Sequence, residues 1–236
     1  MLASITGDFG DALEFIFVSR ESRGGAEVGG GQVLDLTWTH LQLTFTAIGL
    51  AILVALPLGV WLGHTGRAAF LAISVSNIGR AVPSIGIVFL FFAILGAGFW
   101  NITLALVLLA IPPILTNAYV GVREVDREAV DAARGMGMSG WAVARRVELP
   151  LALPLIFGGI RISAVNVVAT ATIAPLAGVI TLGDPIINVN TYGDEGRLAA
   201  AIVVALLAVV TEVSLGAVQR AVTPRGLKLE RREATT

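Results

Sequence analysis

Two charged residues stand where charge is least expected. Arg161 and Glu212 each lie about seven residues inside the end of a long apolar run, some 11 Å deep at about 1.5 Å per helical residue. An ionised side chain at that depth in a bilayer is costly and is usually paired or functional. Their equal depth predicts that they pair with each other; the alternative is a snorkelling Arg161 beside a solvated Glu212. Arg80 marks either a membrane interface or a gate. Phe89, Phe91 and Phe92, with Trp61 elsewhere, offer ring faces suited to a passing cation, although packing aromatics look the same in sequence. Pro57, Pro83, Pro112, Pro113 and Pro175 are expected to kink their segments, and such kinks often border a pathway. Pro83, Phe89, Phe92 and Asn166 are therefore the candidate pathway-lining residues. Asn101, Asn117 and Asn166 are read as interhelical hydrogen-bonding groups. Other chemistries are poorly served. The chain has no cysteine, and His40 and His64 cannot form a metal site without carboxylates, so none is expected. No nucleophile–base constellation speaks for a membrane enzyme, and no paired halves with midplane ionisable groups speak for a secondary transporter.

The elements that must position these residues are apolar helices. Of 236 residues, 56% are hydrophobic and 14% charged, with a mean hydropathy of +0.84; a water-soluble domain carries about a quarter charged residues. No Asp, Glu, Lys or Arg occurs over Leu36–Gly66, Ala81–Val122 or Ile162–Gly183, and only Glu212 interrupts Leu198–Val218. A helical crossing needs roughly 20 apolar residues, so the 42-residue gap at 81–122 holds two, folded at Gly96–Asn101. Five crossings are expected: 41–62, 82–99, 102–122, 154–179 and 198–218. Residues 68–79 are either a sixth crossing or the end of a long second helix broken near Pro83. With five crossings and the N-terminus outside, three basic residues fall outside and eleven inside, as the positive-inside rule requires.

Residues 1–36 read as an extracytoplasmic segment, 37–222 as the membrane domain and 223–236 as a cytoplasmic tail. Asp11–Ser19 has amphipathic helical spacing and is either a short interfacial helix or part of a loose terminus. Gly24–Gly31 reads as a flexible linker, and no positive segment before an apolar stretch suggests a cleavable leader. The loop at 123–150, REVDREAVDAARGMGMSGWAVARRVELP, is the most informative stretch. Its first half is an amphipathic helix with Val125, Ala129, Ala132 and Ala133 on one face. Gly135, Gly137 and Gly140 are expected to break it. Ser139 caps a second short helix over 140–147, before Pro150 and Pro154 steer the chain into the membrane. The small residues at 132, 133 and 137 would let a partner approach closely.

Asp131-Ala132-Ala133, then Gly137, Val147, Leu149 and Pro150, keep every spacing of the EAA signature of bacterial ABC importer permeases, with Asp in place of the first Glu. Over about 38–228 the chain resembles the osmoprotectant branch of that family, through VALPLGV (54–60), NIGRAVPSIGIVFLF (77–91), PPILTNAYVGVREV (112–125) and AVTPRGLK (221–228). The methionine-type permeases share the layout and are the alternative. The resemblance implies an all-α, MetI-like type I permease bundle in the bacterial cytoplasmic membrane, with the 123–150 loop as a coupling helix seated on an ATPase subunit. It implies no cofactor on this chain, with ATP and Mg on the partner ATPase. A second permease copy or paralogue and an external binding protein would complete the assembly, which needs membrane lipid and no nucleic acid. The substrate class would be glycine betaine, choline, carnitine or a related quaternary amine or polyamine. The acidic 184–195 segment is either a contact for the binding protein or a solvated loop.

Overall fold

The computed structural model describes residues 2–22, 25–66, 70, 74 and 82–223. Helix α1 (Leu2–Phe17) leads into a two-stranded antiparallel hairpin, β1 (Ser19–Glu21) and β2 (Glu27–Gly29), paired Ser19 to Gly29, Arg20 to Val28 and Glu21 to Glu27. Then follow α2 (Gly31–Thr65), α3 (Ser84–Leu95), α4 (Phe99–Arg123), α5 (Arg127–Gly135) and α6 (Gly140–Val143). A π turn (Ala144–Glu148) joins α6 to α7 (Leu149–Thr170), which tightens into a 3-10 turn at Ala171–Ala177. Helices α8 (Gly183–Ile187) and α9 (Val189–Val222) complete the fold, α9 breaking its helical path at Gly193 (φ 72°, ψ 176°).

Among the described residues four helical stretches are long and apolar enough to cross a membrane: Gly31–Thr65, Phe99–Arg123, Gly140–Ala177 and Val189–Val222. The crossing expected at 82–99 is instead the 12-residue α3, about 18 Å long by helical rise and too short to span alone. Pro83, extended at φ −62° and ψ 126°, stands as its N-cap. The other end is set at Gly96, whose φ of 80° leaves the helical region. The question of a sixth crossing at 68–79 lies almost wholly outside the described residues, as do Arg80 and the tail from residue 224.

The chain forms two compact units. The first comprises residues 1–47, 83–106 and 165–210. Its core gathers Ala12, Phe15, Val28, Val33, Leu36, Leu182, Tyr192 and Ala199. Here residues 25–31 are not the flexible linker expected of Gly24–Gly31, whose first residue lies outside the described ones. Gly29 (φ 83°) and Gly30 (φ 50°) fit because backbone packs tightly there: a Cβ on Gly29 would lie 2.7 Å from the Val18 carbonyl oxygen, and one on Gly30 would lie 2.8 Å from the Ser19 nitrogen. A run of glycines thus marks close approach rather than looseness. Arg20 spans the hairpin surface, its guanidinium 4.7 Å from the Phe15 ring centre and 3.1 Å from Glu195. Buried His40 donates from Nε2 to the Val168 carbonyl at 2.9 Å.

The second unit comprises residues 48–82, 107–164 and 211–236. It is tied by helix–helix contact. Gly59 and Gly63, one turn apart on α2, let α4 come close: a Cβ on Gly59 would lie 2.6 Å from the Ala118 Cβ, and one on Gly63 would lie 2.8 Å from the Tyr119 carbonyl oxygen. Small residues four apart are the usual means of close helix packing where no water drives association. Ser163 adds a bond from Oγ to the Ala110 carbonyl at 2.8 Å.

Candidate functional site

The 123–150 segment is built from two caps and one left-handed residue. Asp126 sits outside helical geometry and its Oδ1 accepts the Glu128 amide at 2.9 Å, which starts α5. At the other end the Gly137 amide donates to the Arg134 carbonyl (2.9 Å) and the Met138 amide to the Ala133 carbonyl (3.2 Å). With Gly137 at φ 83°, this pair of bonds is the Schellman termination, in which glycine takes the left-handed position at lowest cost. Gly137 alone ends α5: Gly135 is the last residue of that helix, and Gly140 is the first of α6. Ser139, extended at ψ 156°, accepts the Ala142 amide at 3.4 Å and starts α6.

The second short helix is not a separate element. It runs through the π turn into α7, with the Leu149 amide donating to the Ala144 carbonyl. Pro150 therefore lies inside a continuous helix rather than at an entry point. A proline there has no amide for the Arg146 carbonyl and its ring crowds that group; widening the preceding turn by one residue makes room.

Val130 and Ala133 face inward at 1% and 2% exposure. Asp131, Ala132 and Gly137 are exposed, while Val147, Leu149 and Pro150 are half-buried. Ala133 is therefore unavailable to a partner, because the amphipathic helix turns it into its own core. Two residues not singled out from the sequence take its place: Met136 and Trp141 are 76% and 75% exposed on either side of Gly137. A tryptophan inside a charged, glycine-rich stretch was the available signal. Asp131 and Arg134 approach at 3.9 Å, both open to solvent.

Within the spans of the second unit, Arg161 Nη2 donates to Glu212 Oε1 and Nη1 to Gln219 Oε1 at 2.7 Å. Gln219 Nε2 in turn donates to the Pro154 carbonyl at 2.7 Å. The network joins α7 to α9. The pathway candidates do not form such a group. Pro83, Phe89 and Phe92 are exposed on or beside α3, Asn166 is exposed on α7, and no described contact joins them. Of the asparagines, Asn101 on α4 bonds across to the end of α3, whereas Asn117 bonds within its own helix. Asn117 donates to the Pro113 carbonyl of its own helix at 2.8 Å, and Asn101 caps α3 by donating to the Leu95 (2.8 Å) and Gly96 (2.7 Å) carbonyls. Each amide satisfies a nearby carbonyl that chain geometry presents first.

Glu148, the last residue of the π turn, is 3% exposed, and its Oε2 accepts a bond from His64 Nδ1 at 2.5 Å. At 84 positions apart, no local pattern links the two.

Residues 41–226 match the family of the binding-protein-dependent transport system inner membrane component. The chain is 37% identical over 203 residues to the glycine betaine/carnitine/choline transport system permease protein OpuCB of Bacillus subtilis (strain 168), covering 86% of this chain and 94% of that protein. It is 39% identical to the carnitine transport permease protein OpuCB of Listeria monocytogenes, covering 84% and 92%. It is 33% identical to the osmoprotectant import permease protein OsmW of Salmonella typhimurium, covering 84% and 95%. In fold it matches a chain of the MetNI methionine ABC transporter in an inward-facing conformation (TM-score 0.70, 22% identity, 81% of this chain and 96% of that one).

Proposed function

The chain belongs to the binding-protein-dependent transport inner membrane component family, and from that premise we propose that it is the permease through which an osmoprotectant enters the cell. The substrate would be a small quaternary amine of the glycine betaine, choline or carnitine kind, since relatives named for these compounds cover nearly their whole length. Separate ATPase subunits would carry ATP and Mg, an external binding protein would deliver the solute, and a second permease chain would complete the pathway. The observation that carries the coupling role is the exposed helix–turn–helix at 126–143, with Ala132, Met136, Gly137 and Trp141 open to a partner. Asp131 and Ala132, with Gly137, would meet the ATPase. Val147, Leu149 and Pro150 would pass its movement into α7, and Ala133 would hold α5 in shape from inside. The Arg161–Glu212–Gln219 network would keep α7 and α9 moving together.

The N-terminus would lie outside and the 123–150 segment inside. Because the chain lacks cysteine, single-cysteine variants report this directly. Ser22→Cys should label in intact cells and Ser139→Cys only after permeabilisation. Labelling of the latter in intact cells would overturn the orientation. The substrate reading is tested by co-expressing the chain with its ATPase and binding protein and measuring uptake of radiolabelled glycine betaine and choline in vesicles. ATP-dependent uptake of either supports it. Uptake of methionine that neither compound competes with would move the chain to the methionine type.

A further inference from the structure

The π turn carries a side-chain hydrogen bond that neither the family signature nor the pathway explains. Glu148 is buried and takes its bond from His64, the next-to-last residue of α2. The other edge of the same ring faces the start of α6: a Cβ built on Gly140 would lie 3.4 Å from His64 Nε2. One imidazole therefore bonds one end of the stretch from Gly140 to Glu148 and lies beside the other, where α6 widens into the π turn. A π turn is a weak, locally adjustable place in a helix and often marks a functional site. Left alone, it would let a push on α5 and α6 be absorbed by rewinding before it reached α7. Rewinding would draw Glu148 away from His64 and leave a buried carboxylate without its partner, which is strongly unfavourable.

We infer that the His64–Glu148 bond is a brace that closes the π turn and carries movement of the 126–148 segment into α2 as well as α7. His64 and Glu148 are positioning residues for energy coupling. The inference rests on the reading of that segment as the ATPase-docking element. It predicts that α2 moves with the docking segment and not after it.

The test uses the intact particle with its ATPase and binding protein, reconstituted in liposomes. Spin labels at cysteines replacing Thr65 and Arg145, both exposed, read the distance across the brace with and without vanadate-trapped ATP. The parent should keep one narrow distance in both states. Glu148→Ala and His64→Ala should broaden it and raise ATP hydrolysed per solute imported about tenfold, within the usual range of coupling effects. The double variant should be no worse than either single one. Glu148→Gln, whose amide oxygen still accepts, should restore both readouts. Alanine variants that keep the narrow distance and the parental ratio overturn the brace, as does lower membrane abundance with an unchanged ratio. Failure of the parent particle to retain its ATPase would instead strike the docking reading.

Discussion

The two compact units solve the same problem of holding apolar helices with different materials. The first relies on a hairpin lid, a cluster around Phe15 and Tyr192, and side chains that cap or bond to backbone: His40 to Val168, and Thr181 to Ala171 at 2.9 Å. The second relies on glycine-mediated contact between α2 and α4 and on side-chain pairs that join distant helices, His64 with Glu148 and Arg161 with Glu212. Backbone-directed bonds fix a helix in place. Side-chain pairs between helices make one helix answer to another. The second unit also holds the exposed docking segment, and the His64–Glu148 pair ties that segment to α2.

The sharpest way to break this contrast is Gly137→Leu. The position takes φ 83°, where a residue with a Cβ is strained by about 1–2 kcal/mol, and the new side chain would project from an open surface toward the partner. Membrane levels should stay normal, with ATPase co-purification and ATP-driven uptake lost. Parental uptake by this variant would show that the segment is only a connector. In the first unit, Phe15→Ala should cost more stability, about 3–5 kcal/mol for a buried aromatic, yet leave ATP hydrolysed per solute unchanged. Faster proteolysis of residues 1–30 with an intact ratio is the expected result; a changed ratio would erase the distinction between the units.

Gly59→Ala sharpens the packing half of the comparison. Its Cβ would meet the Ala118 Cβ at 2.6 Å and the Leu115 carbonyl oxygen at 2.7 Å, so overpacking of about 1–3 kcal/mol is expected. Gly49→Ala on the same helix meets nothing within 4 Å and should melt at or above the parental temperature in detergent. Equal melting of the two variants would mean that α2 and α4 do not depend on close approach there.

The sequence made the long helices legible because charge is so costly in a bilayer that its absence marks them. It made the 123–150 segment legible because glycine and serine chemistry there is local: Ser139 as a cap and Gly137 as a breaker need only their neighbours. It was misleading where one composition serves two geometries. Gly24–Gly31 reads equally as linker or as tight hairpin, and only the Val18 and Ser19 backbone decides. Ala132 and Ala133 are alike in type but differ by 100° around the helix, and the core behind α5 decides which is hidden. Helix α3 is shorter than the apolar run that holds it, because such a run says nothing of where Pro83 and Gly96 end the helix. His64 with Glu148 was beyond sequence reading altogether, since the two lie 84 positions apart in the chain and only the packed helices bring them together.

The smallest expected effect separates the two caps of the docking segment. Asp126 holds the Glu128 amide at 2.9 Å, whereas Ser139 holds the Ala142 amide at 3.4 Å. A carboxylate near a helix N-terminus also meets the favourable end of the helix dipole, which a hydroxyl does not match. Helix α5 is nine residues long and ends at Gly135, so a lost cap loosens a large part of it. Helix α6 continues into a 38-residue helical stretch, so a lost cap frays only its first turn, and the His64 ring against Gly140 limits even that. Asp126→Ala should therefore cost about 1–2 kcal/mol and Ser139→Ala about 0.5 kcal/mol, the upper and lower parts of the range for N-caps. Hydrogen exchange at the amides of residues 128–133 and 142–144 reads the two separately. Greater loss of protection in Ser139→Ala than in Asp126→Ala would mean that α6 stands as an independent helix, and that the brace at His64 does not hold its first turn.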